Sequence, residues 1–493
     1  MNYPSHPPVI AKGMWPAFGE LLSLRDSAPV SPGEVTLRDH DPFFRTPFRV
    51  GETTTASLAA IGVAANDIWE IRTGRRQKID VSSRTAAAAL RTRDYTLKRD
   101  LNGAYQRILI SDAMARMLTV TQPWRTQDGR YLLPHFNLPN LAARVLGVLQ
   151  CEDTPAGVSA AVGRWNADAL EGAIADARAC GGKVRTQSEW LAHPQGAYLA
   201  ARPVVEIECI SDSAREAFHP GDRPLSGVRV LDLTRILAGP MAGRSLAEHG
   251  ADVLMVTEKS LPQVPEHVRD TSHGKRSCFL DLKSAEGVKQ FSDLVRSADV
   301  VIDGYRPRAL ASLGFGVENL AALRPGLIYV SVSCYGSGGP FGNRAGWEQI
   351  AQAVTGICQT HGEAIGAGQP KLVPAPMCDY NTGYLAAYGS MLALARRARE
   401  GGTWTVRASL CQSAMFIQRQ GCIENFENAP EELSEAELDA LYVSANTYYG
   451  SLKTLGPVLR MSETQPYWAR PTPCLGSDKP EWLARREENA TAE

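Results

Sequence analysis

From Gly227 onward, short apolar runs alternate with stretches of helical periodicity. The runs lie at 228–233 (VRVLDL), 251–257, 299–303 (DVVID) and 327–333 (LIYVSVS), and the periodic stretches at 239–248, 284–296 and 318–323. Strands that are apolar along their whole length are buried on both faces, and helices between them supply right-handed crossovers to a parallel sheet. Residues 225–420 are therefore expected to form a doubly wound, Rossmann-like α/β domain. Upstream, small and apolar residues recur at helical spacing over 57–71, Thr73-Gly74-Arg75 stops that helix, and QKIDVS (77–82) alternates as a short strand. An alanine run at 85–90 predicts a second helix, so 51–127 reads as a helix-strand element. Residues 128–210 read as a smaller α+β domain, with strand-like DGRYLLPHF, helices near 138–149 and 168–179, and a closing strand in ARPVVEIECI. Residues 1–50 are expected to be a partly irregular lead-in with structure beginning near Gly51, 211–224 a polar linker, and 421–493 a helical and irregular extension.

The two ends of this layout repeat each other. One constant shift, without a gap, places Thr55 on Thr382, Leu58-Ala59-Ala60 on Leu385-Ala386-Ala387, Gly62 on Gly389, Arg72 on Arg399, Gly74 on Gly401 and Ser82 on Ser409. Alanine-rich helices align by chance, but a matching helix, glycine stop and strand together argue for duplication.

Composition narrows the function without naming it. At 493 residues the chain is long enough for about three domains. With 52 basic and 53 acidic residues it has no global field for a polyanion, so no nucleic acid or membrane partner is expected. The ten cysteines, among them Cys151, Cys278, Cys334, Cys378 and Cys411, form no C-x-x-C pair or zinc spacing, which suits a reducing, cytoplasmic setting and no metal. No signal-like leader and no run of about 18 apolar residues is present.

Candidate chemistry sits in a few segments. The first turn, LDLTRILAGPMAG (231–243), is not G-x-G-x-x-G, yet a helix opened by Gly239-Pro240 would aim free N–H groups at a phosphate; a tightly packed corner is the alternative. Lys275-Arg276, Lys283, Arg306 and Arg308 follow the later strands and would suit several phosphates, or stand as solvated charges. The loop CYGSGGPFG (334–342) allows close backbone approach to a ligand, or is a plain turn. Asp379, in PAPMCDYNTGYLAAYG, precedes a helix expected to start near 381–383, where its carboxylate caps the helix or acts as a nucleophile. His135, His249 and His273 are scattered and read as structural or solvent-facing. No G-x-S-x-G, H-E-x-x-H or P-loop is present.

The ordered set LSGVRVLDLTRILAGP, LAEHGADVLMVTE, HGKRSCFLDLKSAEG, ADVVIDGYRPRALASLGFG, RPGLIYVSVSCYGSGGP and CDYNTG, from about 225 to 413, closely resembles the class III CoA-transferases of the CaiB/BaiF family. TGRRQKIDVSS and EWLAHPQGAYLAARPVVEIE resemble the later part of such a unit, so its parts stand here in permuted or fused order. The resemblance implies a CoA-binding parallel-sheet domain plus a smaller α+β domain. It implies Asp379 as the nucleophile that exchanges acyl groups through anhydride and aspartyl-CoA intermediates. It further implies coenzyme A contacts at Ile236, Leu237, Ala238, Lys259, Leu280, Lys283, Gly304, Tyr305 and Arg306, although Gly304-Tyr305 replaces the family's frequent Asn-Phe. Coenzyme A and acyl-CoA are then substrates with a small carboxylic acid, no cofactor is permanently bound, and a homodimer is expected. The related racemases need a His where Trp347 stands, which disfavours α-proton exchange. Isomerisation or intramolecular transfer on one acyl-CoA, and a degenerate CoA-binding scaffold, are the competing readings. Under the shift that relates the two repeats, Glu52 falls opposite Asp379 and reads as non-catalytic.

Overall fold

The computed structural model describes residues 15–430 and 432–485. Positions 1–14 of the expected lead-in and the end of the expected extension lie outside the described residues. A seven-stranded sheet runs in the order Arg276–Phe279, Asp252–Thr257, Arg229–Leu233, Val300–Asp303, Ile328–Ser333, Thr403–Ser409, Glu206–Ser211. All neighbours are parallel except the last pair, where Glu206–Ser211 runs antiparallel to Thr403–Ser409. The alternation read from Gly227 onward thus builds a mixed α/β fold on a parallel sheet. Its faces bury different partners: Val230, Val300 and Ile302 join a core with the helices Ala238–Glu248 and Met377–Glu400. Leu231, Leu233 and Val301 join another with Phe291, Leu294 and Leu320 from Ala285–Val295 and Val317–Leu323. This is why the strands read as continuous apolar runs.

The repeated segments are two helices of 24 residues each, Val50–Thr73 and Met377–Glu400, whose ends correspond under the shift that aligns the repeats. Each ends on a glycine at positive φ, 71° at Gly74 and 83° at Gly401, and each is followed by a strand, Ile79–Ser82 and Thr403–Ser409. Both helices are buried nearly all round, so small residues replace an amphipathic stripe. Asn381 Nδ2 donates to Thr54 Oγ1 at 3.1 Å, and these two positions are equivalents under the shift. The contact with Ala238–Glu248 is closer still: a Cβ on Gly383 would lie 2.7 Å from the Ala238 carbonyl oxygen and nearer to Met241 Cβ. Backbone cannot yield there, so Gly383→Ala is expected to lower stability by ~1–3 kcal/mol in urea unfolding.

Several expectations need correction. Structure begins before Gly51: Pro16–Leu22 is helical, Val35–Arg38 pairs in parallel with Ile79–Ser82, and Phe18, Leu21, Phe44 and Phe48 are buried. The proline-rich composition concealed these isolated apolar anchors. The closing strand of the small α+β block, Glu206–Ser211, leaves it for the edge of the large sheet. The small block has its own sheet, Trp124–Arg125, Tyr131–Pro134 and Gly181–Lys183, and its core recruits Met114, Met117 and Val120 from upstream of 128. The C-terminal stretch contains strands as well as a helix: Tyr442–Thr447 and Gly450–Leu455 join Leu97–Arg99 and Tyr105–Arg107, and Arg460–Met461 pairs with Ile79–Ser82. Beyond them the chain covers the open edge of the large sheet, where Ser277 N donates to Asp478 Oδ2 and Asp478 N to the Ser277 carbonyl, both at 2.8 Å. Among the described residues no helix is long and apolar enough to cross a membrane.

Candidate active site

Asp379 stands in the first turn of Met377–Glu400, whose N-cap is Pro376. The helix begins earlier than the 381–383 expected, so Asp379 does not cap it. The chain is non-helical up to Pro376, and the poor helix formers that follow Met377 are held in the helix by burial rather than by propensity. Asp379 is 8 % exposed as a residue, and no ion pair to its carboxyl forms among the described residues. Its backbone N–H donates to Glu348 Oε2 at 2.6 Å. Glu348, at the start of the helix Glu348–Thr355, is 4 % exposed and also accepts from Gln352 Nε2 at 2.7 Å.

These two buried acids face one another. Burial, and then the Glu348 charge, holds the Asp379 carboxyl well above the usual carboxylate range. Burial raises Glu348 as well, but Gln352 and the amides of Asp379 and Cys378 oppose it. Hydrogen bonds to the charged form therefore favour ionised Glu348, and the proton of the pair rests on Asp379.

The contacts at Gly383, four residues after Asp379 and about 6 Å along the axis, set this carboxyl beside the start of Ala238–Glu248. That start follows Arg229–Leu233 through a strained turn: Ile236 has φ 76°. Ile236 is half-buried between the large and small cores, and Leu237 and Ala238 are buried. Gly304 lies after the neighbouring strand Val300–Asp303, and a Cβ there would meet Thr234 Cγ2 at 3.1 Å. Tyr305 is half-buried, its hydroxyl bonded to Thr257 at the end of Asp252–Thr257. Ile236, Leu237, Ala238, Gly304, Tyr305 and Arg306 are thus gathered at the carboxyl ends of two adjacent strands. Lys259 and Lys283 are exposed on the next loops, and Leu280 is buried behind them.

Two residues escaped the sequence reading. Glu348 gives no sequence signal, because its partner is a backbone amide. Arg235 does: it is a cation inside the first turn, and its Nε and Nη2 are buried without a hydrogen-bond partner among the described residues, as is Arg306 Nη2. Other basic residues lie elsewhere. Lys275 and Arg276 stand at the amino end of Arg276–Phe279, and Lys275 Nζ reaches the first turn of Ala238–Glu248, wholly buried against Asp232 Oδ2 and the Pro240 carbonyl, both at 2.7 Å. Arg276 pairs with Asp252 at 3.0 Å. The 334–342 loop is pinned by Gln195, whose Nε2 donates to the Tyr335 and Gly338 carbonyls at 2.8 and 2.9 Å, so it docks the small block. His135 is buried, stacked on Trp347 with centroids 4.9 Å apart and bonded to Gln349 at 2.9 Å. His249 is buried, and His273 is buried and stacked on Trp468.

Against known proteins, the model of CoA-transferase family III matches residues 32–218 and again 225–493. An acetyl-coenzyme A transferase of Hypoxylon pulicicidum is 32% identical over 322 residues, 61% of this chain and 54% of that protein. A succinate–glutarate CoA-transferase of Agrobacterium fabrum is 37% identical over 196 residues, 36% of this chain and 48% of that protein. A solved CAIB/BAIF family protein from Brucella suis is 29% identical with a TM-score of 0.36, covering 47% of this chain and 65% of that one. The chain spans about half the length of the curated relatives it matches. With the family model matching on both sides of residue 220, the chain belongs to CoA-transferase family III.

Proposed function

We propose that the protein moves coenzyme A from an acyl-CoA donor to a small carboxylic acid, with Asp379 as the exchanging carboxylate. The observation that carries this reading is a buried carboxyl, unpaired among the described residues, in the first turn of a buried helix, beside the turn that follows the first strand of the parallel sheet. Numbered from Arg229–Leu233, the parallel strands run 3-2-1-4-5-6, the doubly wound order, whose ligand crevice opens between strands 1 and 4. Ile236, Leu237, Ala238, Gly304, Tyr305 and Arg306 flank that crevice and would hold coenzyme A. Arg235, Arg306, Lys259 and Lys283 supply cations for its phosphates, and Leu280 supports the outer loop.

In this reading the Asp379 carboxylate attacks the thioester carbonyl, the C–S bond breaks, and a mixed anhydride forms as the coenzyme A thiolate departs. The thiolate attacks the aspartyl carbonyl and the donor acid leaves, giving aspartyl-CoA. The acceptor carboxylate then attacks aspartyl-CoA, forming a second anhydride and releasing the thiolate. Attack of the thiolate on the acceptor carbonyl yields the new acyl-CoA and regenerates Asp379. Relative to the ionised Asp379 that attacks, each neutral acyl-aspartyl state removes one charge from beside Glu348.

Because Asp379 must ionise to react, activity is expected to rise with pH through the raised pKa of the pair. Glu348→Gln keeps an acceptor oxygen for the Asp379 amide but removes the charge. It should move the acid limb of the pH–kcat/KM profile down by about one unit; an unmoved limb would show that the Glu348 charge does not reach Asp379. Racemisation is not supported, since His135 beside Trp347 is buried, and burial lowers its pKa to about 4. The test is acyl exchange between acetyl-CoA or succinyl-CoA and a panel of mono- and dicarboxylic acids, followed by mass spectrometry. New acyl-CoA products are expected; α-proton exchange without them would favour the isomerase, and neither would favour a binding scaffold.

A further inference from the structure

The pairing of strands around the two repeated helices goes further than duplication. Ile79 pairs with Met461 and Asp80 with Arg460. Their equivalents under the repeat shift, Val406 and Arg407, pair with Ile207 and Glu206. The antiparallel partners are therefore related by one second shift, which carries Ile207 onto Met461 and Glu206 onto Arg460. Packing under the helices obeys the same two shifts. A Cβ on Gly62 would meet Ile79 Cγ2 at 2.9 Å and Leu459 Cδ1 at 3.2 Å, and one on Gly389 would meet Val406 Cγ1 at 2.6 Å and Val205 Cγ1 at 2.8 Å.

Each partner strand lies on the wrong side of the chain for its own repeat. The strand that follows the first repeat, Glu206–Ser211, completes the sheet of the second; the strand that follows the second, Arg460–Met461, completes the sheet of the first. Between the sheets the two helices meet at equivalent positions, Thr54 and Asn381. The small α+β block, which follows the first repeat, likewise packs on the second: Arg185 N donates to the Ala353 carbonyl at 3.1 Å, and His135 meets Gln349 on the helix that carries Glu348.

The equivalent of the Asp379 locus is also present. Glu52 stands in the first turn of its helix, and its N–H donates to Asp41 Oδ2 at 2.8 Å, as the Asp379 N–H does to Glu348. There the likeness ends. Glu52 Oε1 lies 2.8 Å from His40 Nδ1, and Oε2 accepts from Arg49 Nη1 at 3.0 Å. A carboxylate held by a guanidinium and an imidazole is a poor nucleophile.

We infer that this chain folds, by itself, into the exchanged pair that two copies of the unit would form, with one working site at Asp379 and one shut site at Glu52. The working site takes its sheet and catalytic helix from the second repeat and its covering block from the first, so it needs no second chain. The assignment of the working site rests on the transferase reading; the pairing of repeats does not. Light scattering on the full chain is expected to give one species of 53.5 kDa, with specific activity constant over about a hundred-fold dilution. After incubation with acetyl-CoA or succinyl-CoA, hydroxylamine attacks the aspartyl carbonyl, displaces coenzyme A as its thiol and leaves a hydroxamate. One hydroxamate per chain is expected, at Asp379, with Glu52→Gln unchanged in activity and labelling. A species of twice the mass, activity that falls on dilution, or a hydroxamate at Glu52 would each overturn the inference. If neither position is labelled, the transferase reading fails, and the measured mass still decides the pairing of repeats.

Discussion

Asp379→Asn is expected to lower acyl exchange by about 10⁴-fold or more while making the protein more stable, by ~1 kcal/mol near neutral pH. The loss follows from chemistry: an amide is no nucleophile toward a thioester, and no carboxylate among the described residues shares the Asp379 position. The gain follows from burial. In the fold the Asp379 pKa lies above its unfolded value of about 3.9. Its contribution to stability is thus fully present below about pH 4 and is lost as pH rises through the folded pKa. Asparagine does not titrate, so the advantage of the variant should vanish near pH 4 and be largest in the alkaline range. Urea unfolding at several pH values, alongside the exchange assay, checks both halves; a variant that loses activity without gaining alkaline stability would contradict the buried, charge-opposed setting given to Asp379.

Lys275→Met is expected to cost about 3–5 kcal/mol. The ammonium and the Asp232 carboxylate are both completely shielded from solvent. Removing the lysine leaves an acid in the core, with Thr234 Oγ1 as its remaining side-chain donor. Because Lys275 Nζ also holds the Pro240 carbonyl, the damage should reach the turn 234–240 and weaken acyl-CoA binding. Lys275→Met combined with Asp232→Asn leaves no charge to strand and should recover much of the loss. If the double variant is as unstable as the single, the cost lies in packing and not in the orphaned carboxylate.

The sheet from 228 to 333 was legible because its strands are buried on both faces and its helices are spaced regularly. The short strand Arg276–Phe279 was not: it is charged at one end and read as part of a basic cluster. The repeated helices were legible through their glycine stops, since a positive φ restricts the residue. Asp379 was legible only through resemblance, because its neighbours CDYN carry no motif that separates a nucleophile from a cap. Glu348 was out of reach, as its partner is a main-chain N–H 31 residues away. Lys275 misled for the opposite reason: a lysine reads as surface until its acid partner, here 43 residues upstream, is known.

The exchanged strands also set the order in which the chain can fold. Ile79–Ser82 waits for Arg460–Met461, close to the far end of the chain, and Glu206–Ser211 waits for Thr403–Ser409. Glu206–Ser211 is already made when Thr403–Ser409 emerges, so the second repeat can close at once, whereas the first keeps an open strand edge until Arg460–Met461 has been made. The repeat that is made first is therefore the one whose sheet is completed last.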